Sequence, residues 1–259
     1  MEDIQMSSDR ISDHREFLKD SLRLKINFYL SDQHQDIPPP PLQKPARAEQ
    51  KIIPLPGEDT WDQFLGTDLV HAIAQRKSER SFLPESISVE ELAYLLWATQ
   101  GVKKKVAPET ARRTVPSAGC RHPFETYLLI NKIEGLACGI YRYLPLEHAL
   151  VLEQLEDNLT AKLIPATLGQ QFIASAPVVF VWAAIPYRSE WRYLESAHRV
   201  MLLDAGHICQ NLYLACQALE CGTCAIAAYN QNEMDLLLGL DGEDEFTVYL
   251  APVGKVAKQ

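Results

Sequence analysis

Positive charge is scarce in this chain. Its 25 Lys and Arg are outnumbered by 34 Asp and Glu, for a net charge of −9 at pH 7. Phosphate backbones and anionic lipid surfaces recruit a basic field, so non-specific nucleic-acid or membrane-surface binding is not expected. No stretch approaches the roughly 20 consecutive apolar residues of a membrane span. The opening Met1-Glu2-Asp3-Ile4-Gln5 lacks the basic start and apolar run of a secretory leader. Six cysteines in a chain of that kind are expected as reduced thiols in the cytoplasm. Gly-x-Gly-x-x-Gly, the Walker lysine motif and His-Glu-x-x-His are all missing, and no serine, histidine and carboxylate set stands out as a triad.

What is present describes an ordinary globular chain. At 259 residues, 47% hydrophobic and 23% charged, it can bury a full core as one large domain or two small ones. Residues 1–59 read as an N-terminal extension and 60–259 as the main domain. Leu22 to Phe28 alternates like a strand, while Arg15 to Leu22 also fits a helix. Pro38-Pro39-Pro40-Pro41, with Pro45, Pro54 and Pro56, makes a stiff polyproline-like segment, either a linker or an arm over a partner subunit.

Residues 67–75 predict a short helix with Thr67 as N-cap and Leu69, Val70 and Ile73 on one face. Ser88-Val89-Glu90-Glu91 is a capping box. Leu92, Leu95, Leu96 and Thr99 line the helix it opens, and Gly101 closes it. Lys103 to Pro108 reads as a solvated basic loop. Strands are expected at 125–130, 139–144, 150–153, 177–182 and 247–250, with a helix over 159–171 interrupted at Pro165. The longest helix, 197–219, is apolar on nearly every face, and such a helix must be buried in a core or against another subunit. Helices and strands alternate without regular βαβ spacing, so the fold class is α+β with a central mixed sheet.

Chemistry concentrates in a few stretches. In Arg76-Lys77-Ser78-Glu79-Arg80, spacing of two in an extended segment points Arg76, Ser78 and Arg80 the same way. Two guanidiniums around a hydroxyl suit a phosphate or another flat, acceptor-rich group. In Pro116-Ser117-Ala118-Gly119, small residues after a proline let backbone amides approach a flat ligand. Cys221-Gly222-Thr223-Cys224 has redox or zinc-ligand spacing but follows a helix end, where cysteines act as small packing residues. No metal is expected.

Taken in order, these stretches resemble the nitroreductase-like FMN flavoproteins, and within them the SagB-type dehydrogenase branch. The resemblance rests on Arg-x-Ser-x-Arg-x-Phe after a short helix, the capped Leu-rich helix, and Pro-Ser-Ala-Gly before a strand. It extends through Gly139-Ile140-Tyr141-Arg142-Tyr143, Asp204-Ala205-Gly206-His207, Gln210-Asn211-Leu212, Leu238-Gly239-Leu240-Asp241 and Val253-Gly254-Lys255. It implies a homodimer with FMN at the subunit interface and helix 197–219 buried there. Arg76, Ser78 and Arg80 would contact phosphate, ribityl or pyrimidine groups. Pro116, Ser117, Ala118 and Gly119 would lie against the ring, Lys255 would neutralise phosphate, and Asn211 belongs to the same binding set. Ile226, Ala227 and Ala228 occupy the family's glycine-containing turn, with alanines replacing glycines.

SagB-type oxidases of azole-forming peptide pathways use a Lys-Tyr pair in the stretch that aligns with Arg188 to Tyr193. Here Arg192 replaces the lysine. Arginine stays protonated and cannot act as a base, so Tyr193 is the candidate acid or base and Arg192 a charge or anchor. The implied function is FMN-dependent dehydrogenation of a small or peptide-borne heterocycle. Its alternatives are an NAD(P)H-dependent nitro- or quinone reductase and a catalytically degenerate flavin-binding module.

Overall fold

A computed structural model describes residues 11–64 and 66–257. The first ten residues, including the stretch examined for a secretory leader, lie outside that range. Among the described residues, no helix is long and apolar enough to cross a membrane. The chain is α+β.

Five strands make up the centre of the sheet: β4 (Phe124–Ile130), β5 (Gly139–Leu144), β6 (Ala149–Leu155), β7 (Val178–Ala184) and β9 (Phe246–Lys255). Short strands close the edges, β1 (Ile52–Pro54) against β6 and β8 (Cys221–Thr223) against β9. The order is β1-β6-β5-β4-β7-β9-β8. Every strand pair in it is antiparallel, and among the described residues parallel pairing enters only as isolated bridges at Ser78–Thr223 and Ile87–Ile133. The expected mixed sheet therefore has an antiparallel body. The remaining strands, β2 (Val102–Ala107) and β3 (Thr110–Arg113), form a separate hairpin. This corrects the solvated loop expected at Lys103 to Pro108: the lysines are exposed, but their backbone is paired.

Both faces of β4 and β7 are covered, and every residue of the two strands is buried, as the unbroken apolar run of β7 requires. Phe124, Leu128, Phe180 and Trp182 point to one side, with α2 (Val89–Gln100) and α5 (Ala197–Gln217). Tyr127, Leu129, Val179 and Val181 point to the other, with α3 (Leu159–Ala166) and α6 (Gln231–Leu238). The period of two sorts side chains between these layers.

Helix α2 begins at the expected capping box: Ser88 Oγ accepts from Glu91 N, and Glu91 Oε2 accepts from Ser88 N. It buries Leu92, Leu95 and Leu96 completely, each contributing roughly 1.5–3 kcal/mol. Helix α1 (Leu69–Gln75) is capped by Asp68, whose Oδ1 accepts from Val70 N, and not by Thr67. Its shared apolar face is uncovered, with Leu69, Val70 and Ile73 each more than half exposed.

Residues 11–17 are helical and Asp20–Lys25 and Phe28–Leu30 are short 3-10 helices, so no strand forms over Leu22 to Phe28. The proline-rich segment runs over its own chain, where its backbone meets buried arginines. Arg113 Nη2 donates to Leu42 O (2.7 Å), Arg142 Nη1 to Lys44 O (2.6 Å) and Arg142 Nη2 to Pro45 O (3.2 Å). Glu125 completes this buried network, accepting from Lys44 N, Arg188 and Arg142. Burial opposes its ionisation, but the Arg188 and Arg142 guanidiniums outweigh burial and hold its carboxyl below the usual range.

Candidate active site

Two clusters of the expected residues form, joined by helix α5. The first is built on the loop before β4. Gly119 has φ +57°, and the neighbouring Cys120 (+55°) and His122 (+47°) share the left-handed region. Hydrogen bonds offset the cost of this turn. Ser117 O accepts from Cys120 N at 3.0 Å, and Ser117 Oγ accepts from His122 N at 2.9 Å. Asp204, buried on α5, accepts from Ala118 N at 3.2 Å. Burial raises the Asp204 carboxyl pKa, opposed by bonds from Ser117 and Ala118.

Tyr193 and Arg192, at the end of α4 (Tyr187–Tyr193), meet this loop at Gly119. A Cβ built on Gly119 would lie 2.5 Å from the Tyr193 hydroxyl, 3.1 Å from Arg192 Cδ and 3.2 Å from Arg192 Nε. The residue after Tyr193, Leu194, has φ +49° and ψ −138°, a conformation that favours glycine. That strained joint turns the chain sharply from α4 towards α5 and fixes where the phenol ends. The Arg192 guanidinium carbon lies 5.5 Å from the Tyr193 ring centroid.

The second cluster follows α1. Ser78 Oγ lies 2.9 Å from Tyr213 OH, which also accepts from Ala225 N at 2.9 Å. Arg76 stacks over the Tyr213 ring (5.3 Å to the centroid) and Arg80 over Phe172 (5.9 Å). Among the described residues, no carboxylate pairs with either arginine. The strip is stitched to β8 through Glu79 N donating to Thr223 O. Ile226 is buried and bridged to Leu250, while Ala227 and Ala228 are exposed beside the strip's neighbours Cys224 and Ala225.

The side chains of two further expected residues are bonded outside these contacts. Lys255 Nζ is bound to Glu91 and to Leu219 O. Asn211 Nδ2 donates to Ala98 O (2.8 Å), and the residue lines a groove of about 440 Å³ with Trp97, Thr114 and Leu214. Asp204 and Tyr213, the α5 contacts of the two clusters, are nine residues and so roughly 13 Å apart along the helix axis.

Cys221 and Cys224 are free and buried, and no group of three or more metal-ligating side chains occurs among the described residues. Burial lifts the Cys221 thiol to about 12, which suits a packing residue.

Comparison with known proteins fits this architecture. A sequence model described as "Nitroreductase family" matches residues 73–255. The chain belongs to the nitroreductase family. A nitroreductase-family protein of Methanocaldococcus jannaschii is 33% identical over 187 residues, 72% of this chain and 90% of that protein. The trifolitoxin-processing protein TfxB of Rhizobium leguminosarum bv. trifolii is 32% identical over 149 residues, 54% of this chain and 40% of that one. A nitroreductase crystal structure from Ralstonia eutropha superposes with a TM-score of 0.67 at 24% identity, covering 86% of this chain and all of that one. Within this nitroreductase fold, Asp204, Arg121 and Trp191 reach the site without having been singled out as site residues in the sequence. Asp204 had a signal, since it opens the Asp-Ala-Gly-His motif. Arg121 and Trp191 had none.

Proposed function

We propose that the chain is an FMN-dependent oxidoreductase of the SagB type, which dehydrogenates a heterocycle in a small or peptide-borne substrate. The observation that carries this reading is the Tyr193 hydroxyl and Arg192 side chain set against side-chain-free Gly119. The residues fit a flat ring with an anionic tail. Arg76 and Arg80 carry guanidiniums with no carboxylate partner among the described residues, and Ser78 adds a hydroxyl beside them. Pro116 to Gly119 and Ala225 to Ala228 offer small side chains and approachable backbone. With Lys255 bound to Glu91, phosphate charge falls to Arg76 and Arg80. When bound, FMN would supply the hydride acceptor at its N5.

The chain's own groups then divide the remaining work. Tyr193 presents its O–H beside Gly119 and moves the substrate proton. Arg192 keeps its charge and anchors an acceptor-rich group of the substrate or cofactor. A homodimer is part of the proposal. Leu69, Val70 and Ile73 on α1 and Leu202 and Leu203 on α5 are exposed apolar side chains that a second copy would cover. The two clusters at separate points along α5 would be completed by a second copy.

The similarity to a trifolitoxin-processing protein favours a peptide-borne substrate. The second reading, an NAD(P)H-dependent nitro- or quinone reductase, draws on the family match itself. Anaerobic mixing of FMN-loaded protein with NADPH, or with a thiazoline-bearing peptide, separates the two. The proposal expects the flavin absorbance to bleach with the thiazoline and not with NADPH. Bleaching by NADPH alone would establish the second reading.

A further inference from the structure

The N-terminal extension reaches the candidate site through one indole. Trp191, 8% exposed on α4, is held by the segment 32–37 on two sides. Its Nε1 donates to Ile37 O at 2.9 Å, and its carbonyl accepts from Gln33 N at 3.0 Å. One turn earlier on the same helix, Tyr187 OH donates to Asp32 Oδ2 at 2.6 Å. On its inner face the Trp191 ring carries the guanidinium of Arg121, 5.0 Å from the centroid. Arg121 is buried, and two of its three guanidinium nitrogens are bonded: Nε donates to Gly119 O (3.3 Å), and Nη2 to Glu109 O and Thr110 Oγ1 (both 3.2 Å).

Gly119 and Tyr193 therefore share one reference point. Tyr193 is tied to Trp191 covalently, two residues along α4. Gly119 is tied to it through Arg121. An indole that shifts moves the phenol and the loop by different amounts, so the gap between them depends on Trp191 holding still. The contacts that hold it come from residues otherwise unassigned.

We propose that Trp191 and Arg121 are positioning residues, and that the segment 32–37 is a strap that sets the spacing between Tyr193 and the Ser117–Gly119 loop. The inference rests on the reading of that loop and Tyr193 as the site, but its test needs no cofactor. Trp191→Phe keeps a ring beneath Arg121 and removes the N–H to Ile37. Arg121→Gln removes the stacked cation. Arg121→Lys keeps a cation and donors on one nitrogen.

Amide hydrogen exchange of the full-length chain is measured at residues 117–122 and, as a control, along β7, together with thermal unfolding. Trp191→Phe and Arg121→Gln are each expected to speed exchange in the loop about fivefold, the effect of losing one net hydrogen bond, with β7 unchanged. Arg121→Lys should stay within about twofold of the parent, and the double variant should exchange no faster than the more severe single one. Loop exchange unchanged in folded Trp191→Phe would overturn the proposal. So would equal acceleration in β7, or additive effects in the double variant. A parent chain that binds no flavin would sink the FMN reading while leaving this coupling measurable.

Discussion

Replacing Gly119 by alanine tests the contact on which the site is built. Two costs are separable. The first is conformational: φ +57° in an L-residue other than glycine costs roughly 1–2 kcal/mol. The second is steric, because the new Cβ would stand 2.5 Å from the Tyr193 hydroxyl. Ordinary heavy-atom contacts lie at roughly 3.5–4.0 Å, and forcing in a methyl group costs roughly 1–3 kcal/mol. Gly119→Ala should therefore lower unfolding free energy by about 2–5 kcal/mol, the sum of these two ranges. In a Tyr193→Phe background the hydroxyl is gone; the conformational cost of about 1–2 kcal/mol remains, with a smaller steric share from Arg192, whose Cδ and Nε would stand 3.1 and 3.2 Å from the new Cβ. Urea unfolding of the four proteins gives the coupling energy directly, expected at about 1–3 kcal/mol. A coupling within about 0.5 kcal/mol of zero means the phenol does not stand against Gly119, and the site reasoning fails.

Two further outcomes follow from the same geometry. Burial first, then the Arg113 charge, pushes buried His122 down to about 3 from 6.5, so the unfolded chain takes up a proton between those values and the folded chain does not. Stability is whole above about pH 6.5 and falls towards pH 3, with this residue's share of the slope near 1.4 kcal/mol per pH unit. His122→Gln should flatten the curve by about that amount in urea titrations between pH 6 and 4; an unchanged slope would remove His122 from the account. Val70→Glu or Leu203→Glu places a charge in the exposed apolar surface, and light scattering should then report 29.2 kDa instead of twice that mass. A parent protein already at 29.2 kDa would contradict the homodimer.

Much of the fold was legible because its determinants are local. The capping box at Ser88, the β-branched run at Val178 to Trp182 and the apolar spacing of α5 each act within a few residues. The hairpin at Val102–Ala107 was missed because three consecutive lysines report only solvent exposure, while the strand is set by its pairing with Thr110–Arg113. The packing of the proline-rich segment was missed for a different reason. Arg113 and Arg142 look like surface charges in sequence, yet each is buried by carbonyls 71 to 98 residues away, and a backbone acceptor leaves no residue signature. At the site, motif order pointed to Gly119, Arg192 and Tyr193. The Trp191 and Arg121 contacts between them depend on tertiary distance alone.

The proposed function stands on FMN being held through Arg76 and Arg80. Its most direct test is titration of the purified, flavin-free protein with FMN, followed by fluorescence quenching, beside the Arg76→Ala/Arg80→Ala variant. Saturable binding at one FMN per chain is expected, weakened at least tenfold when both guanidiniums are removed, the loss of two charge-assisted contacts at about 1.5–3 kcal/mol each being more than enough. No saturable binding by the parent, or the same curve for the variant, would contradict it.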